Sequence, residues 1–147
     1  MQLVVIIAAA VVAWVCGSLW YMVLARPWSR VSGVQVRNIG EPRKSSPMPY
    51  LISGAAMLVI ASAIDMIFRI AGIATLAEGL GLGLAIGALI IAPWMLLNNT
   101  YVNRPLLLSV IDGGYAIIAC AVIGAILGVT GSPAETVDVV IRSGAGG

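Results

Sequence analysis

The chain reads as an all-α protein, a four-helix transmembrane bundle with both termini on the non-cytoplasmic side. Three observations predict it. Apolar residues make up 61% of the 147 positions and charged residues 10%, against roughly 45–50% and 25% in soluble domains. The few charges are clustered, which leaves four long, nearly uncharged runs, and the mean hydropathy is +1.06. The basic residues fall in alternate connections between those runs. A water-soluble chain this short exposes much of its surface and needs charge to cover it. The composition therefore excludes a nucleic-acid-binding domain, a disordered tail and a secreted disulfide scaffold.

A hydrocarbon core about 30 Å thick is crossed by roughly 20 helical residues. One domain over residues 1–130 supplies four such spans, at about 3–24, 50–73, 76–97 and 106–129. The first carries no charge and is longer than the apolar core of a secretory leader, and Met1-Gln2 lacks the usual basic flank, so it reads as a retained helix. The second holds Asp65 and Arg69, the third begins with Glu78, and the fourth holds Asp112. Helical periodicity is weak because such helices are apolar nearly all round.

The first connection, residues 25–49, holds Arg26, Arg30, Arg37, Arg43 and Lys44, and the third holds Arg104. The second holds no basic residue. The positive-inside rule puts the first and third connections in the cytoplasm. Arg26, Trp28 and Arg30 suit the headgroup region, where cations and an amphipathic ring are both stable. Residues 38–49, with three prolines and a glycine, read as an irregular linker. This basic loop sets topology; a lipid-headgroup or partner site is the functional alternative. The tail, 131–147, is too short for a domain, though 135–141 could form a short strand or interfacial turn.

Helices in lipid associate through close contact at small residues. Gly79, Gly83 and Gly87 form one such stripe, Ala116, Cys120, Gly124 and Gly128 a second, and Ala9, Ala13 and Gly17 a third. They imply either packing within one bundle or homo-oligomerisation. The short connection between spans two and three predicts an antiparallel hairpin, and Pro93 predicts a kink. Cys16 and Cys120 lie in separate apolar runs and read as free buried thiols.

Ionisable groups inside a span are costly and face protein or water. Asp65 and Arg69 are spaced i,i+4 and can pair. With Glu78 they are expected to form a small network at the outer end of the bundle, the alternative being a functional polar cavity. Asp112 lies roughly 9 Å inside span four, with no basic residue within four positions. Arg104, Asn98, Asn99 and Asn103, together with Trp20 and Tyr21, are its expected donors, and Tyr115 shares its helix face. Asp112 is either an anchor or a proton- or ligand-linked group.

Residues 17–28, GSLWYMVLARPW, and residues 111–115, IDGGY, resemble two motifs of the bacterial "domain of unknown function 1761" membrane family. The resemblance covers nearly the whole chain. It carries over to Gly17, Trp20, Tyr21, Trp28, Asp112, Gly113 and Tyr115, while Ala25 stands where an aromatic is usual. It implies a four-span bundle and no known activity. Both motifs fall at the cytoplasmic ends of spans one and four, so Trp20, Tyr21, Asp112 and Tyr115 are expected to meet in one polar-aromatic cluster.

The chain has no histidine, which removes His-based metal sites, catalytic triads and His proton shuttles. No cofactor, metal or enzymatic activity is expected. The expected role is that of a structural or accessory protein of a bacterial inner membrane, binding lipid, further copies of itself or a larger complex. The alternative is a small transporter or channel subunit using Asp112 and Asp65.

Overall fold

The computed structural model describes residues 1–33 and 47–131 of the chain. Those residues are helical with no strand, and four helices are long and apolar enough to cross a membrane. The elements are α1 (Gln2–Val23), α2 (Ala25–Ser32), α3 (Met48–Ala71), α4 (Leu76–Ile86), a π turn (Gly87–Ile91), α5 (Ala92–Tyr101) and α6 (Leu106–Val129). α4, the π turn and α5 run on as one span, Leu76–Tyr101. It is four residues longer at its end than the hydropathy of residues 76–97 suggests.

Proline and glycine set the breaks. In a continuous helix the ring of Pro27 would press on the Val23 carbonyl and offer it no N–H. The helix stops instead at Leu24, and Pro27 falls in the first turn of α2, where a missing N–H costs nothing. Gly33, at φ 73°, closes α2. The expected linker over 38–49 lies outside the described residues up to 46. Its last part is corrected: Pro47 caps α3 and Pro49 lies in the first turn, so these prolines open a helix. The short strand or turn expected at 135–141 also lies outside the described residues. Gly72, at φ 69°, ends α3, with the Ile73 N–H donating to the Phe68 carbonyl.

α6 is the axis of the bundle. It contacts α1, α2, α3, α4, the π turn and α5. Half of its most apolar window is buried, against 11% for the span Leu76–Tyr101. The core is built mostly of small side chains, with Ala9, Ala10 and Ala13 of α1, Ala61, Ile64 and Phe68 of α3, and Ala119, Cys120, Ile123 and Leu127 of α6.

The glycine stripe of span three meets the small stripe of α6 backbone to backbone. A Cβ on Gly79 would strike the Gly124 carbonyl, one on Gly83 the Cys120 carbonyl, and one on Gly87 the Ile117 Cα. Both stripes are thus consumed inside one chain. This contact also decides the neighbours. α3 and α4, joined by residues 72–75, do not pack along each other; α3 lies on α1 and α6, and span three lies on α6. The expected hairpin is corrected, because the close fit of α4 to α6 outweighs the short connection.

Pro93 sits in the first turn of α5, directly after the π turn, where the Ala92 N–H reaches back five residues to the Gly87 carbonyl. The wider turn moves the preceding carbonyls off the proline ring. The expectation at Pro93 is a kink, and what the structure places before it is a π turn.

Candidate aromatic–carboxylate site

Two hydrogen bonds converge on Oδ1 of Asp112 in α6. The Tyr21 hydroxyl of α1 donates at 2.8 Å and the Trp28 indole N–H of α2 at 3.2 Å. The Tyr21 ring meets Trp28 edge-on, with centroids 5.8 Å apart, and Tyr115 likewise at 5.5 Å. Trp20 reaches α6 one residue earlier, its indole N–H donating to the Ile111 carbonyl at 3.0 Å. The Tyr115 hydroxyl donates back to the Ala13 carbonyl at 3.3 Å.

Glycines make room for these rings. The Tyr115 ring lies directly over Gly17, and Trp20 lies over Gly114. Gly113 faces the other way, with Ala92 of α5 against it. The two adjacent glycines let α6 be approached from two sides at one level.

Trp20, Tyr21, Asp112 and Tyr115 therefore meet at one end of the bundle. Trp28, expected at the headgroups, turns inward and joins them, while Arg26 and Arg30 on the same short helix stay exposed. The break at Leu24 forced by Pro27 folds Trp28 back onto α6, and that proline was the available signal. Other expected donors are corrected. Arg104 donates to the Ser32 carbonyl at 3.4 Å, Asn99 donates to Ser109 Oγ at 3.1 Å, and Asn103 occupies the turn with φ 53°. Asn98 is not among the partners of Asp112 either. α1 and α2 reach the carboxylate first because they pack against this stretch of α6.

At the other end, Asp65 is 6% exposed. Arg69 Nε donates to its Oδ2 at 2.8 Å, and the Gln2 amide donates to its Oδ1. Gln2 was not foreseen; it is brought there by the packing of α1 on α3. Glu78 is not part of this group, which corrects the expected network. It turns back on its own helix start, accepting from the Ala74 N–H while its own N–H donates to Thr75 Oγ1. The first-turn position, with Thr three residues before Glu, favours that cap over a bond to Arg69.

Cys16 and Cys120 are free thiols, Cys120 buried and Cys16 half-buried. Among the described residues no three His, Cys, Asp or Glu side chains gather as metal ligands would.

Helix lengths, apolar surface and a core of small residues define a small four-helix transmembrane protein. The family model described as "Protein of unknown function (DUF1761)" matches residues 4–128. The chain belongs to that family. No curated protein and no solved structure matches it at a significant level. Of the positions carried over from the family motifs, Gly17, Trp20, Tyr21, Trp28, Asp112 and Tyr115 make up the cluster, and Gly113 secures the same turn of α6 to α5.

Proposed function

We propose that this is a non-enzymatic accessory protein of a bacterial inner membrane whose working part is the short basic helix α2. The observation that carries the reading is the shared acceptor Oδ1 of Asp112, which ties α1 and α2 to the central helix. A carboxylate already engaged by a phenol and an indole is suited to holding an element in place. The apolar face of α2, with Trp28 and Val31 half-buried, leans on the bundle and leaves Arg26 and Arg30 outward. The basic connections support a cytoplasmic position for this end and an outward position for the termini. Lipid, a second copy or a larger membrane complex are the partners such a surface would serve.

A transporter would need a polar path between Asp112 and Asp65. These groups lie near opposite ends of their helices, and between them the core is Ala, Ile, Phe and Cys. The test is reconstitution of the full chain in liposomes loaded with a pH-sensitive dye. Proton or cation flux no greater than in empty vesicles is expected. Flux that Asp112→Asn abolishes would overturn the accessory reading in favour of transport.

A further inference from the structure

We propose that the outward face of α2 binds the phosphate of anionic phospholipids, an assignment that rests on α2 being a surface element held by Asp112. Three features support it. Arg26 and Arg30 lie one helical turn apart on the same exposed face of α2. No carboxylate of the described residues pairs with either, since the near one, Asp112, is turned to Tyr21 and Trp28. Arg104 adds a third exposed guanidinium where α2 ends, held there by its bond to the Ser32 carbonyl.

Depth points to lipid as the occupant. α2 follows directly on an uncharged 22-residue span and so starts where the hydrocarbon ends. Trp94, Tyr50 and Tyr101 are exposed towards the same end of their spans. No Trp or Tyr lies in the far half of any of the four spans. Amphipathic rings settle at the headgroup level, so this end is built for that layer. The described charges divide the same way, with Arg26, Arg30, Arg104 and the occupied Asp112 here, and Arg69, Asp65 and Glu78 at the far end. Guanidinium groups hold phosphate oxygens through paired, charge-assisted hydrogen bonds. Three exposed guanidiniums, two along α2 and one at its end, suit a layer of phosphodiesters.

The experiment is native mass spectrometry of the full chain equilibrated in detergent with equal amounts of phosphatidylglycerol and phosphatidylcholine. The wild type should retain phosphatidylglycerol preferentially. Each arginine removed should lower that preference roughly fivefold, so R26Q/R30Q should lower it by about twenty-five-fold. R26K/R30K should keep part of it, because the charge remains while the paired hydrogen bonds are lost. Wild-type preference in R26Q/R30Q, or no preference in the wild type, would overturn the lipid assignment. The docking of α2 is read separately: Asp112→Ala should red-shift Trp28 emission against a Trp28→Phe reference. Unchanged emission would sink the docking reading whatever the lipid result, and with it the basis of this assignment.

Discussion

Trp28 and Asp112, 84 positions apart in sequence, are joined by an indole N–H to carboxylate bond of 3.2 Å. The same oxygen accepts from Tyr21. One atom thus ties the last turn of α1 and the inner face of α2 to α6.

Removing that acceptor should loosen the end of the bundle. Interhelical hydrogen bonds in membrane proteins contribute about 0.6 kcal/mol on average and up to about 1.7. Asp112→Ala loses two of them and should destabilise by about 1–3 kcal/mol in detergent unfolding assays. Asp112→Asn, which keeps an oxygen at the same place, should lose about half as much. Equal stability of all three proteins would show that the cluster anchors nothing.

The glycines of span three differ sharply in their surroundings. A Cβ at Gly83 meets the Cys120 carbonyl, whereas one at Gly81 meets nothing within 4 Å. Gly83→Ala should cost about 1–3 kcal/mol by overpacking. Gly81→Ala should be neutral or stabilising, since alanine is the better helix former. Thermal unfolding of the two variants side by side checks the contrast, and similar values for both would contradict the α4–α6 contact.

Gly17 and Tyr115 form a second steric pair, because a Cβ at 17 would lie 2.5 Å from the Tyr115 ring. Gly17→Ala should destabilise clearly in the wild-type background and much less beside Tyr115→Leu. A double-mutant cycle reads this coupling directly; additive effects would place the ring elsewhere.

At the far end, Arg69 partners a carboxylate that is 6% exposed. Arg69→Ala leaves that charge with Gln2 alone and should cost about 2 kcal/mol. Adding Asp65→Asn removes the uncompensated charge and should restore part of the loss. If the double variant proves less stable than Arg69→Ala, Asp65 is not held mainly by this pair.

Sidedness is checked by Ser29→Cys in a chain with Cys16 and Cys120 replaced by serine or alanine. An impermeant maleimide should label it in inside-out vesicles and not in right-side-out ones. The reverse pattern would invert the proposed topology.

Much of this molecule is readable one residue at a time. Four apolar runs of spanning length become helices because lipid offers no partner for a backbone N–H or C=O, so each run must satisfy its own. Their ends fall within a few residues of the expected ones for that reason. The aromatic residues around Asp112 were traceable because they lie at matching depths in their helices. The inward turn of Trp28, the Gln2 amide on Asp65 and the separation of α3 from α4 were not traceable in that way. Run length and charge, properties of each segment alone, determined the membrane class and the helices. The choice of neighbours belongs to the tertiary structure, because it depends on which Cβ-free surfaces of distant helices fit closely enough for backbone to touch backbone.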